Sequence, residues 1–304
     1  MSLSISTRSL LKNTWFLSSE GFKRGYLFIY GPRIQDAGEE PEPEYDLSEL
    51  IYDFESDAIT VHGYSVLVDV VEFITRHIRD VDLSVFTRQE IKKLAEVGLV
   101  NAYMNGVTLP IAKTDYPEAL LDVARENGMR VGVLAERGTV ARNPFILLLE
   151  IDSGWIYYED RKVGEHTSIC RPAIHREDCL VLDARGYGNL TTAIEETYRS
   201  SSDPIISYKL LTNAYSLCGV DTGYVEKGSA SDLIIYDLKN PLKTAPIKTQ
   251  QHMFAVIARS QQPDIVLIGG DIFYDHGENL AIPIVKVNEL VRKKLLNQKN
   301  LGDV

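Results

Sequence analysis

Between Thr87 and Ala135 the apolar residues change period repeatedly, and that alternation constrains the fold more than any other feature of the chain. Thr87-Arg-Gln-Glu90 is a capping box, in which hydroxyl and carboxylate each satisfy an otherwise orphaned backbone N–H. Ile91, Leu94 and Ala95 then fall on one helical face, and Gly98 reads as the stop. Leu99-Val-Asn-Ala-Tyr-Met follows as a strand. The order recurs at once. Asp115 caps a helix with Pro117 and Glu118 in its first turn and with Leu120, Val123 and Ala124 on its apolar face; Gly128 closes it and Arg130-Val-Gly-Val-Leu-Ala is the next strand. Two consecutive helix–strand units imply a parallel sheet.

Phe145 to Ile151 and Cys179-Leu-Val-Leu-Asp183 read as further buried strands, Asn189 to Ser200 and Pro204 to Cys218 as helices, and Trp155 to Gly164 as an added hairpin. Asp203 caps the second of these helices and Gly219 ends it. The two ends of the chain differ from this middle. Trp15 to Leu17, Tyr26 to Tyr30, Leu233 to Leu238, Ile265 to Ile268 and Asp271 to Tyr274 are short strands with turn signals between them, and Gly269-Gly270 is a two-residue hairpin turn. Lone hairpins cannot bury a face, so the two ends are expected to build one small β-domain around the inserted middle.

With 304 residues, 44% apolar and 25% charged, the chain can bury a sizeable core. Its formal net charge of −11 makes nucleic acid an unsuitable main partner. No apolar run reaches the ~18 residues that a membrane-spanning helix needs, so no membrane partner is expected. The N-terminus lacks a basic-then-apolar signal, and the odd count of cysteines (Cys170, Cys179, Cys218) gives no paired framework. The expectation is a cytoplasmic protein with unpaired cysteines, with self-association as a homo-oligomer left open. Asp36 to Asp57 holds many acids and no Lys or Arg; its Glu-Glu-Pro-Glu-Pro-Glu centre reads as a solvated loop. Near the other end, Lys286, Arg292, Lys293, Lys294 and Lys299 accompany Val285, Val287, Leu290, Val291, Leu295 and Leu296 as an amphipathic last helix.

Leu210 to Leu238 reads as a helix, a Gly-rich turn and a return to the β-domain. Pro241 and Pro246, a helical stretch from Gln250 to Arg259 and Asp264-Ile-Val-Leu-Ile-Gly-Gly-Asp-Ile-Phe-Tyr-Asp-His-Gly follow in order. This C-terminal third resembles the amidohydrolase superfamily, in particular its branch of chlorohydrolases and cytosine-deaminase-like aminohydrolases. Lys12 to Ile34 is similar to that family's first hairpins, Ala58-Ile-Thr-Val-His-Gly-Tyr stands where the family enters its first barrel strand through Pro-Gly-Phe, and Gln89 to Tyr103 resembles its second unit. The resemblance implies metal-assisted hydrolysis at a non-peptide carbon–nitrogen bond of a ring or amidine, with a metal lowering the pKa of bound water.

Departures from the family are equally informative. In the family a His-x-His pair at the end of the first barrel strand holds the metal; Ser65-Val-Leu-Val-Asp-Val70 occupies that place here, with Val68 and Val70 standing for the pair. From there to Asp183 is only about 115 residues, against roughly 250 for a complete barrel. One family position is retained: Leu180-Val-Leu-Asp183 before Gly186, Gly188 and Asn189 looks like the segment in which an Asp at the end of the last barrel strand serves as metal ligand and general acid/base. The alternative role for Asp183 is a turn former or cap.

The remaining candidates weigh less. His166-x3-Cys170-x4-His175-x3-Cys179 collects four possible zinc donors, but the spacing fits no usual zinc module, and Cys179 reads better as a small buried residue opening a strand. Glu150 and Asp152 share one side of a strand end, either as a carboxylate pair or as an exposed pair before the Ser153-Gly154 turn. His62 lies near the junction between the two parts, where a hydrogen-bonded structural role is favoured; His77, His252 and His276 sit among helix or hairpin residues. There is no G-x-x-x-x-G-K-[ST], no G-x-G-x-x-G after a strand, no G-x-S-x-G and no H-E-x-x-H, so P-loop nucleotides, Rossmann cofactors, esterase chemistry and zincin proteolysis lose support.

Together these observations predict an α/β fold: a reduced or distorted TIM-like (β/α) barrel over residues 60–224, inserted into a small composite β-sandwich formed by 1–59 and 225–304 with its C-terminal helix. By resemblance it is an amidohydrolase-like hydrolase, degenerate because the usual ligands are missing. The alternative is a non-catalytic protein that binds a small molecule or serves as a partner subunit. No cofactor is expected, and a divalent metal, zinc or iron, only if the site still works; Asp183 is the one residue assigned to catalysis.

Overall fold

The computed structural model describes residues 7–55, 58–75, 82–140, 147–165, 168–173, 179–187, 189–218, 223–239, 247–258 and 262–280, together with 289 and 294. A first sheet of nine strands draws on both ends of the chain: β1 (Arg8–Ser18), β2 (Gly21–Tyr30), β3 (Arg33–Gly38), β4 (Leu50–Asp53) and β5 (Ala58–His62), then β14 (Leu233–Asp237), β15 (Ile265–Ile268), β16 (Asp271–Asp275) and β17 (Glu278–Asn279). Its order is β17-β16-β15-β14-β5-β1-β2-β3, with β4 beside β1. Residues from the two ends meet along β5, where Leu233 lies opposite His62 and Trp15 opposite Ile59. The sheet also curls. Leu27, Ile29 and Ile34 share one apolar cluster with Ile265 and Leu267, and a Cβ on Gly270 would lie 2.3 Å from the Gly31 carbonyl oxygen. Gly269 and Gly270 both have positive φ, as a two-residue hairpin turn requires.

The middle of the chain builds a second, eight-stranded sheet in the order β11-β10-β9-β8-β7-β6-β13-β12. Its members are β6 (Val66–Val68), β7 (Ile111–Ala112), β8 (Gly132–Glu136), β9 (Leu147–Asp152), β10 (Trp155–Tyr158), β11 (Arg161–Glu165), β12 (Ile169–Cys170) and β13 (Val181–Asp183). From β12 through β13, β6, β7 and β8 to β9 every pairing is parallel, and the β9–β10 and β10–β11 pairings are antiparallel. The last parallel strand thus lies beside the first, as barrel closure demands. The chain itself forces the curvature. Edge strands β11 and β12 end and begin at Glu165 and Ile169, a gap that an extended chain spans in at most about 14 Å. Flat, the same eight strands would set their edges about 34 Å apart. Among the described residues no ladder joins β11 to β12.

Five α-helices are present among the described residues: α1 (Arg88–Met104), α2 (Pro117–Glu126), α3 (Leu190–Ser201), α4 (Pro204–Thr212) and α5 (Gln250–Ala258). Strand alternation separates two cores. Leu67, Ile111, Leu134, Leu149 and Val181 fill the space inside the curled sheet, with Tyr215 among them. Val66, Ala112, Val133, Leu148 and Leu182, one residue away in each strand, pack outward with Leu94, Leu120 and Ile194 of the helices.

Three sequence expectations change. Gly98 does not stop α1: the helix, begun by the Thr87–Glu90 capping box, runs on to Met104, and the strand expected at 99–104 is helix. A Cβ at Gly98 would lie 2.0 Å from the Val70 carbonyl oxygen, so this glycine permits close contact between the helix and the bend after β6, and Gly106, at φ +80°, follows the real end. Tyr116, not Asp115, is the cap position of α2, with no side-chain bond there. Finally, Cys170 and Cys179 are joined as a disulfide with Cα atoms 5.7 Å apart, where unpaired cysteines were expected. Of the expected last helix the structure describes Glu289 and Lys294, whose Nζ lies 3.1 Å from Glu90. No helix among the described residues is long and apolar enough to cross a membrane.

Candidate functional site

The C-terminal ends of the parallel strands gather the polar side chains that the filled interior excludes. Asp183 closes β13 opposite Leu67 of β6, on the same side of its strand as the interior residue Val181. Both of its carboxylate oxygens are engaged by Arg185: Nε donates to Oδ1 at 2.9 Å and a terminal guanidinium nitrogen to Oδ2 at 2.8 Å. The Arg185 backbone N–H adds a 3.1 Å bond to Oδ1. This two-point geometry is the strong form of a charge-assisted pair, and Asp183 raises the Arg185 pKa further, with Asp69 and Glu72 adding to it.

Beside this pair, Asp69 follows β6 and accepts the Gly186 N–H at 3.1 Å. Glu72 sits deeper. Its Oε1 accepts the Thr114 hydroxyl at 2.6 Å, while Oε2 is buried with no hydrogen-bond partner among the described residues. Burial raises the Glu72 pKa, Thr114 opposes the rise, and the charges of Asp69 and Asp115 reinforce it. Tyr187 donates to Glu196, and burial pushes its hydroxyl up to about 12.

The alternation of β6 decides which positions could present metal ligands to this mouth. Val68 and Val70 pack in the helix-side core, so they do not face it. Leu67 fills the interior, and Asp69 is the next residue of that parity. The comparison with a His-x-His pair therefore shifts by one residue, to Leu67 and Asp69. A hydrocarbon at the first of these offers no lone pair, and a guanidinium occupies Asp183. Among the described residues no three His, Cys, Asp or Glu side chains are grouped to hold a metal ion.

Other candidates fall elsewhere. Glu150 and Asp152 do share a strand face, but it is the face of Leu148, turned away from the interior. Glu150 is buried and accepts the Gly138 N–H at 3.0 Å; Asp152 lies 3.5 Å from Arg137. His62 is wholly buried at the junction of the sheets, with Nε2 3.0 Å from the Tyr224 carbonyl oxygen and Nδ1 3.3 Å from that of Asp232. Burial lowers its pKa against the pull of both carbonyls. His252 accepts the Lys248 N–H, and His276 contacts Asp275. His77, His166 and His175 lie outside the described residues, and Cys170 and Cys179 of the proposed zinc set are bonded to each other. Sequence reasoning missed Arg185, Asp69 and Glu72. The spacing of Asp183 and Arg185, two residues apart at a strand end, was the available signal for the pair.

The sequence matches no protein-family model and no curated protein. Its fold does have solved counterparts. The chain is similar to an atrazine chlorohydrolase from Arthrobacter aurescens complexed with zinc, at a TM-score of 0.68 and 11% identity, covering 94% of this chain and 99% of that one. It is also similar to an amidohydrolase from an environmental sample of the Sargasso Sea, at a TM-score of 0.68 and 12% identity, covering 98% and 100% of the two chains. A third likeness is to an adenosine deaminase from Xanthomonas campestris with bound zinc, at a TM-score of 0.66 and 10% identity over 98% and 99%. At such identities the likeness establishes the fold: a mixed α/β architecture similar to that of amidohydrolase TIM-like barrel proteins.

Proposed function

We propose that this chain is an amidohydrolase-like protein in which metal-assisted hydrolysis of carbon–nitrogen bonds has been lost, and that its barrel mouth binds a small molecule through charged groups. The observation that carries the reading is the two-point pair between Arg185 and Asp183. A carboxylate held at both oxygens by a guanidinium is a weaker base toward water, and the cation opposes a divalent ion at the same place. Leu67 supports the reading by placing hydrocarbon at an inward position of the strand where the resemblance implies a metal-holding imidazole. The competing reading keeps weak hydrolysis with Asp183 as the proton-transfer group, favoured by its location at the C-terminal end of a barrel strand.

The test is turnover by the parent protein and Asp183→Asn on chlorinated and aminated ring substrates, with and without added Zn²⁺, Fe²⁺ or Mn²⁺. The proposal expects no turnover by either protein. Metal-dependent turnover by the parent that falls by roughly 10² to 10⁴ in the variant, the scale of a lost general base, would instead establish the hydrolase.

A further inference from the structure

At the opposite end of the barrel strands, on the side of His62, one face of α4 is left partly open. Ile205, Tyr208, Lys209 and Thr212 recur on that face at helical spacing, and with the end of β1 and with Phe254 of α5 they enclose a cleft of about 410 Å³. Its floor is apolar. Leu17 is 4% exposed, and Phe254 packs against Phe22 with ring centroids 5.0 Å apart and against Tyr208 at 6.0 Å. Its wall at the β1–β2 turn is fixed by the Ser18 hydroxyl, which donates to the Gly21 carbonyl at 2.7 Å and accepts the Glu20 N–H at 3.3 Å.

The charge of the cleft is the informative feature. Lys209 is the cation among its described lining residues, and it makes no ion pair with any described residue. Of the carboxylates that adjoin lining residue Ser19, Glu20 lies 2.7 Å from Lys23 and Glu226 accepts the Ser19 N–H at 2.6 Å. In a chain of net charge −11, an ammonium without an ion-pair partner among the described residues, at the rim of an apolar floor, is complementary to an anionic group on an apolar body. The lysine stem can lie along the apolar wall while its head meets the anion.

We propose that this cleft binds a small amphipathic carboxylate, with the hydrocarbon against Leu17, Tyr208 and Phe254 and the carboxylate against Lys209. It is separate from the strand-end mouth that carries Asp183, so it stands or falls independently of the function proposed above.

Calorimetric titration of the full chain with octanoate, octanol and octylammonium at low salt is the test. Octanoate should bind saturably and about threefold more tightly than octanol, the scale of one partly exposed charge contact, while octylammonium binds no better than octanol. Lys209→Gln should bring octanoate to the octanol level and leave octanol unchanged. Ser216→Trp, at an exposed lining position, should weaken both by about tenfold or more; Ile205→Trp replaces it if the first variant has an altered unfolding midpoint. The proposal is overturned by absence of saturable binding, by octylammonium matching octanoate, by a Lys209→Gln variant with unchanged preference, or by bulky substitutions that leave both affinities intact.

Discussion

Replacing Arg130 by Met should destabilise the protein by about 3 kcal/mol at pH 7, and about half of that loss or more should disappear by pH 5. Asp232 precedes β14 and is wholly buried, where its carboxylate accepts the Gly269 N–H at 2.7 Å, Arg130 Nε at 3.2 Å and the Tyr215 hydroxyl at 3.3 Å. Arg130 lies just before β8, and Tyr215 is bonded in turn to Thr108, so the cluster ties the first sheet to the base of the second. Breaking a buried pair by removing one partner costs about 3 to 5 kcal/mol. Two facts place the estimate at the low end. The Arg130 side chain is 30% exposed, so water can reach the gap. Neutralising the carboxyl instead is limited to about 4 kcal/mol at pH 7, starting from an unfolded value near 3.9.

The sign of the pH effect follows. Burial already holds the Asp232 pKa above its ordinary value, with Arg130, the Gly269 N–H and His62 opposing; without Arg130 it rises further. The folded state then binds a proton more readily than the unfolded one, so stability increases as pH falls from the folded pKa toward about 4. At pH 5 the ceiling on the loss is only about 1.5 kcal/mol. Urea unfolding of parent and variant at pH 5, 6 and 7, followed by circular dichroism, measures this. An Arg130→Met/Asp232→Asn double variant should regain much of the loss at pH 7. A single variant that loses under 1 kcal/mol, equally at every pH, would refute the claim that Asp232 is a buried charge held by Arg130.

Two further predictions rest on local geometry. Gly98→Ala, which in an open helix would gain up to about 1 kcal/mol, should here cost about 1 to 3 kcal/mol because its methyl group meets the Val70 carbonyl at 2.0 Å; a stabilised variant in thermal unfolding would contradict the close approach of α1 to the segment that follows β6. The Cys170–Cys179 bond closes a loop with a sequence separation of 9, for which loop entropy gives about 2 to 3 kcal/mol. Non-reducing digestion should recover the linked peptides and reduction should lower the urea midpoint, whereas complete alkylation without reductant would contradict the pairing.

Much of the fold was legible because local signals and tertiary demands agree. The Thr87–Glu90 capping box begins α1, Asp203 caps α4 through the Ile205 N–H at 2.7 Å, and Gly269-Gly270 turns β15 into β16. Reading failed where a residue answers to a neighbour distant in sequence. Gly98 has the look of a terminator, and only the Val70 carbonyl explains why it stands mid-helix. The second barrel strand, Ile111–Ala112, was passed over because it is only two residues long and follows Pro110, while Leu99 to Met104 was a better strand by composition. At the site, Asp183 was found from its place at a strand end, yet its engagement by Arg185 depends on side-chain direction, which spacing alone leaves open. A one-residue ambiguity in β6 likewise moved attention to Val68 and Val70, since alternation fixes which residues share a face but not which face is inside.

The central claim is that the strand-end mouth is organised by the Asp183–Arg185 pair rather than by a metal ion. Metal analysis of protein purified without chelators and then dialysed addresses it most directly. The account predicts far less than one zinc or iron per chain, before and after incubation with excess metal. One tightly held divalent ion per chain, released on Asp183→Asn, would contradict it and make the mouth a metal centre.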